Sequence, residues 1–137
     1  MNILIQGGGR GIGLALARRA LAAGTDRLII TTRQPASAPG HDELAADSRV
    51  SILPLDVTSD ASIRTAAADI RAMVPRLDRV IFASGMLQQD GIRPEKRIAD
   101  IDADALVHLY RVNALGPVLL ARELWPLLKG DHHLTYA

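Results

Sequence analysis

The sequence contains no cysteine, which excludes disulfides and thiolate chemistry and suits a reducing compartment. It carries almost no net charge: 16 Lys and Arg against 15 Asp and Glu leave +1. No electrostatic argument for nucleic acid or an anionic membrane arises, and any charged ligand must be met by local groups. There is no basic leader and no apolar run long enough to span a bilayer; Met1 leads straight into an apolar stretch. The expectation from these absences is a cytoplasmic protein without membrane or nucleic-acid partners. Internal repeats and low-complexity segments are also lacking. With 137 residues, 48% of them hydrophobic, the chain can bury one core, so residues 1–137 are read as one domain or part of one.

What is present begins at the N-terminus. Ile3-Leu4-Ile5 is an apolar run, Gly7, Gly8, Gly9, Gly11 and Gly13 follow it, and Leu14, Ala15, Ala17 and Leu21 open a helical pattern. A strand, a glycine turn and a helix are predicted. Glycine lets the backbone turn sharply and approach a ligand, and the helix N-terminus offers unpaired N–H groups and partial positive charge, so the expected guest is a phosphate.

The same alternation continues. The first helix is predicted over 11–23, ending at Gly24; Ala15 and Ala17 suit close packing on a sheet. A buried strand follows over 27–32. A Pro- and Gly-containing loop over 34–40 precedes a short helix over 41–46. The third strand, over 50–56, contains Pro54, tolerated at a sheet edge, and the third strand is the edge in a 3-2-1-4-5 order. Thr58 or Ser59 should cap a helix bearing Ile63, Ala66, Ala67, Ile70, Met73 and Val74 and ending near Pro75. A fourth strand is expected over 78–83, a long helix over 103–128 capped by Asp102, and a fifth strand over 133–137. The fold class is α/β: a Rossmann-type doubly wound parallel sheet in three αβα layers, incomplete at its C-terminal end.

The spacing of Gly7, Gly11 and Gly13, Gly-x-x-x-Gly-x-Gly, resembles that of the short-chain dehydrogenase/reductase family. Four further features fall where that family has them. The resemblance implies that Gly7, Gly9, Arg10, Gly11, Ile12 and Gly13 bind the nucleotide cofactor, with the glycine turn at its pyrophosphate. It implies that Asp56 and Val57 meet its adenine, although Asp56 also reads as an ordinary helix-entry residue. Phe82-Ala83-Ser84-Gly85 stands in place of Asn-Asn-Ala-Gly: Gly85 matches, both asparagines are gone, the backbone approach of Gly85 to a ribose survives, and Ser84 is read with it as cofactor-binding. Asn113 resembles the asparagine of the catalytic tetrad. Four residues on, Pro117 has no N–H to give the Asn113 carbonyl, so a kinked helix should leave that oxygen for a water of a proton relay; the plain alternative is a proline kink beside an incidental asparagine.

The end of the second strand addresses cofactor choice. An acidic residue there, ~20 residues past the glycines, would bond a ribose 2′-hydroxyl. This sequence has Thr31-Thr32-Arg33, and Arg33 with Arg10 suits a 2′-phosphate, so NADP(H) is preferred over NAD(H). His132 and His133 are not read as a metal site, because neighbours on a strand point to opposite faces and no third ligand is in view. Tyr136 lacks the lysine of Tyr-x-x-x-Lys and is read as structural. The family's serine, tyrosine and lysine would lie beyond the fifth strand, so the resemblance implies the N-terminal part of a single-domain, NADP-dependent oxidoreductase of carbonyl or alcohol substrates, inactive on its own. The segment 91–97 looks most like the C-factor-like branch. The alternative is a non-enzymatic nucleotide-binding or signalling module of the same fold. The 103–128 helix is apolar nearly all round, so one side can face the sheet and the other needs a partner; the family resemblance, in which the equivalent helix pairs with its copy in another subunit, implies a homodimer or homotetramer with Trp125 near the contact.

Overall fold

The computed structural model describes residues 1–87 and 95–128. Four parallel strands form one sheet in the order β3-β2-β1-β4: β1 (Asn2–Gln6), β2 (Arg27–Thr32), β3 (Val50–Pro54) and β4 (Arg79–Phe82). The helices are α1 (Gly11–Ala22), α2 (His41–Ala45), α3 (Asp60–Met73), α4 (Ala103–Tyr110) and α5 (Gly116–Leu128). This is the expected Rossmann-like α/β order as far as β4. The expected fifth strand, His132, His133, Tyr136 and positions 91–94 lie outside the described residues.

Strand side chains alternate between faces, and the apolar runs of β1 and β2 therefore feed two cores. Ile3, Ile5, Leu28 and Ile30 pack with Leu14 and Ala17 of α1 and Leu44 of α2. Leu4, Ile29 and Val80 pack on the other face with Ile63, Ala66, Ala67 and Ile70 of α3 and Leu120, Leu124, Leu127 and Leu128 of α5. Two small side chains of α1 part company here: Ala17 is buried against the sheet and Ala15 is exposed.

β3 is the edge strand and stops at Pro54, which pairs in register with Thr32. Its entry is fixed by Arg49, which bonds the Asp47 carboxylate through Nε at 3.0 Å and Nη2 at 2.6 Å and reaches the Leu21 carbonyl at 3.3 Å. Those bonds from Arg49 hold the Asp47 carboxyl down at about 2. Of the two proposed caps, Ser59 caps α3, its Oγ accepting from Ser62 N–H at 3.3 Å. Asp102 caps α4 through Ala105 N–H at 2.8 Å. Met73, expected on the inner face of α3, is 37% exposed. The long helix is not one helix: Arg111–Leu115 is a π-helical turn between α4 and α5.

Candidate functional site

The C-terminal edge of the sheet gathers the glycine turn, the ends of β2 and β3, the loop after β4 and the π turn. At Gly7 the backbone takes φ 83°. Its N–H and that of Gly8 both donate to the Thr31 carbonyl, at 2.9 and 3.2 Å. A Cβ on Gly7 would lie 2.7 Å from the Ser84 nitrogen, and one on Gly13 would lie 2.2 Å from the Gly7 carbonyl oxygen. The turn thus closes only because these side chains are missing, and it presses the first turn of α1 against the strand end. Arg10 stands at the helix cap in extended conformation with no side-chain cap bond, and the first turn holds no acid. Gly11 (φ 54°) and Ile12 are exposed. The positive end of α1 therefore faces outward with its N–H groups uncovered by capping side chains, a cradle that fits an anionic diphosphate.

Gly9 touches Thr32, whose Cβ would sit 3.2 Å from a Cβ there, and Gly9 accepts from Gly40 N–H at 3.3 Å. Arg10 and Arg33 follow these two touching residues, and both are exposed. Asp56 lies beyond. Its Oδ1 accepts from Thr58 N–H at 2.9 Å and from the Thr58 hydroxyl at 2.6 Å. Partial burial pushes the Asp56 carboxyl up, but the Thr58 bonds and the charges of Arg33 and His108 outweigh it and hold it below its ordinary range. Asp56 is a charged group held by Thr58 within the field of Arg33, and the helix cap is Ser59.

The π turn packs on this segment. A Cβ on Gly116 would lie 2.6 Å from the Val57 carbonyl oxygen. Arg111 bonds the Thr58 carbonyl at 3.3 Å and pairs with Asp60. At the break, Gly116 N–H donates to the Arg111 carbonyl, so the chain widens by one residue ahead of Pro117 instead of merely kinking. The Asn113 side chain is engaged: Oδ1 accepts from Met86 N–H at 2.7 Å and Nδ2 donates to the Met86 carbonyl at 2.8 Å. Gly85 is exposed, and the Asn113 Oδ1 is the nearest atom to a Cβ built on it, at 3.8 Å. Ser84 donates its hydroxyl to Gln6 Oε1 at 2.7 Å.

A family model described as short chain dehydrogenase matches residues 1–133. The chain belongs to the short-chain dehydrogenase/reductase family. As a short-chain dehydrogenase it is 30% identical over 134 residues to the short chain dehydrogenase gsfK of Penicillium aethiopicum, covering 96% of this chain and 51% of that protein. A carbonyl reductase from Pseudomonas aeruginosa superposes with TM-score 0.79 at 28% identity, covering 99% of this chain and 61% of that one. An NADPH-bound carbonyl reductase from chicken fatty liver gives TM-score 0.79 at 26% identity, with 92% and 47% covered. The chain spans about half the length of most of the curated relatives it matches.

Within this short-chain dehydrogenase the structure brings Gly13 against Gly7, Gly7 against Ser84, Asn113 against Gly85 and Met86, Val57 against Gly116, and Arg33 into the field of Asp56. Sequence reasoning passed over Gln6, Arg111 and Gly116. Only Gly116, next to Pro117, carried a local signal; the other two find partners far along the chain. Among the described residues no group of three or more His, Asp or Glu could hold a metal ion, and no helix is long and apolar enough to cross a membrane.

Proposed function

We propose that this chain is the NADP(H)-binding part of a cytoplasmic reductase of carbonyl or alcohol substrates, residues 1–137 forming the N-terminal portion of a single-domain enzyme. The observation that carries the reading is the uncapped α1 N-terminus, held open by Gly7 and Gly13, next to a second-strand end that offers Arg33 and no acid. The glycine turn and Ile12 hold the diphosphate; Arg10 and Arg33 take the 2′-phosphate through charge-assisted bonds. Asp56 and Val57 line the adenine position, and Ser84 and Gly85 give the ribose a close backbone. When bound, the nicotinamide supplies or accepts the hydride. Asn113 keeps the loop after β4 in place through its amide, while its backbone oxygen, denied a donor at Pro117, is the anchor for a relay water. The likeness to carbonyl reductases, one of them NADPH-bound, supports cofactor and substrate class.

No Tyr-x-x-x-Lys occurs in the 137 residues, so the general acid expected from the resemblance is not supplied and the segment alone should not turn over substrate. Titration with both nucleotides tests the binding claim: NADPH should bind more tightly than NADH by roughly 1–3 kcal/mol, with the difference lost in Arg33→Ala. Equal affinities would remove the NADP assignment; no turnover in a longer protein that binds nucleotide would favour the non-enzymatic module.

Assembly belongs to the same proposal. Val107, Tyr110, Val118 and Trp125 are 68%, 62%, 56% and 59% exposed, and helical spacing puts them along the outer side of α4 and α5. A second copy covering this stripe gives the homodimer or homotetramer; a monomeric mass at micromolar concentration would refute it.

A further inference from the structure

The loop after β4 carries Gly85 and Met86 to the centre of the site, yet Phe82 and Ala83 bring it no amide side chain. The amide that reaches the start of the loop comes from the neighbouring strand. Gln6, the last residue of β1, is 4% exposed, and its Oε1 accepts the Ser84 hydroxyl at 2.7 Å. The Gln6 carbonyl accepts from Ala83 N–H at 2.8 Å, so one residue holds two successive residues of the β4 exit. Gly7, with no Cβ, lies against Ser84 from the other side. Past Ser84 the loop has no strand partner among the described residues, and its next anchor is the Asn113 amide on Met86.

We infer that Gln6 is a positioning residue: its bond to Ser84 sets the exit of β4 so that Gly85 faces the nucleotide and Met86 meets Asn113. The inference rests on the nucleotide-binding reading above. A buried amide oxygen cannot turn to water when its donor is removed, so loss of the hydroxyl leaves an unpaired acceptor under the loop and removes the loop's first fixed point.

Three variants of the 137-residue chain test this. Gln6→Met keeps the length of the side chain without the acceptor, Ser84→Ala removes the donor, and Ser84→Thr restores a hydroxyl. Without nucleotide, amide exchange at Met86 should quicken in the first two variants relative to Ile70 of the core, and return towards wild type in Ser84→Thr. With nucleotide, the NADPH dissociation constant should rise roughly three- to tenfold in the first two, the range for one lost hydrogen bond, and little in Ser84→Thr. Exchange at Met86 that rises only in step with Ile70, or a threonine variant no better than alanine, would reduce Gln6 to general support of the strand and overturn the inference. A wild-type chain that binds neither NADPH nor NADH would instead fail the nucleotide reading, and the exchange comparison would still decide the role of Gln6.

Discussion

The two walls of the site are built by opposite means. The wall at the glycine turn is shaped by side chains that are missing: Gly13 and Gly7 pack backbone on backbone, and a methyl at Gly13 would sit 2.2 Å from a carbonyl oxygen. The wall formed by the β4 loop and the π turn is shaped by side chains that are present, with Gln6 on Ser84, Asn113 on Met86 and Arg111 on the Thr58 carbonyl. The first kind of wall fails abruptly, because backbone cannot step aside. The second fails by degrees, because each bond is worth only about 0.5–1.5 kcal/mol net.

The sharpest way to break the contrast is Gly13→Ala. Overpacking usually costs about 1–3 kcal/mol, occasionally more, and a backbone clash belongs at the upper end. Expected are a large drop in the chemical unfolding midpoint and loss of NADPH binding; an alanine variant of wild-type stability would mean that the turn is not closed as described. Gly116→Ala carries the exclusion rule into the second wall, since its Cβ would meet the Val57 carbonyl at 2.6 Å. A loss of about 1–3 kcal/mol is expected in the same measurement.

Asn113→Ala removes both bonds to Met86 and should cost roughly 1–2 kcal/mol. In a longer protein that contains the expected Tyr-x-x-x-Lys, NADPH oxidation with an aldehyde panel should also fall; unaffected turnover would dismiss Asn113 from the site. Gly85→Ala separates ligand from fold. Among the described residues a Cβ there meets nothing closer than 3.8 Å, so the unfolding midpoint should hold while NADPH affinity declines. If affinity holds as well, Gly85 does not approach the nucleotide.

The smallest effects come from titration and from one hydroxyl. Asp47, lowered to about 2 by its bonds from Arg49, contributes stability that is present above the ordinary carboxylate range and lost as pH falls from about 4 towards 2. NMR titration of its carboxyl checks the midpoint, and Arg49→Met, which keeps only the backbone N–H bond to Asp47, should raise it towards the ordinary range. Thr31 is 0% exposed and its hydroxyl has no hydrogen-bond partner among the described residues. Thr31→Val should be neutral or stabilising by up to about 1 kcal/mol, because it deletes an unpaired buried group at nearly constant shape. A clear loss of stability would reveal a bond to that hydroxyl.

The same contrast explains what could be read in the sequence. Exclusion leaves a local trace: Gly7 and Gly13 stand close together along the chain, and Pro54 marks the edge strand by the hydrogen bond it cannot make. The alternation of apolar runs and helical patterns placed every element from β1 to α5 to within a few residues, apart from the split in the last helix. That split was only half legible. Pro117 announces a missing donor but does not say whether the chain kinks or widens; Gly116, which must lie under the Val57 carbonyl, decides it, and that contact is tertiary. Side-chain bonds leave still less trace, because Gln6 and Ser84 are separated by 78 positions and nothing local to either pairs it with the other. Met73 shows the remaining kind of error, since helical spacing near a helix end does not say where the supporting sheet stops.

The shared acceptor at the start of the glycine turn bears on the order in which the molecule assembles. The first two N–H groups of the turn both end on the Thr31 carbonyl, which belongs to β2, so the turn has no template until β2 lies beside β1. The phosphate cradle is then expected to form late in folding, after β1 and β2 have paired. Nucleotide should therefore slow unfolding and leave the refolding rate nearly unchanged, as for any interaction formed after the transition state. Stopped-flow refolding with and without NADPH measures this directly, and faster refolding with nucleotide would show that the cradle forms early.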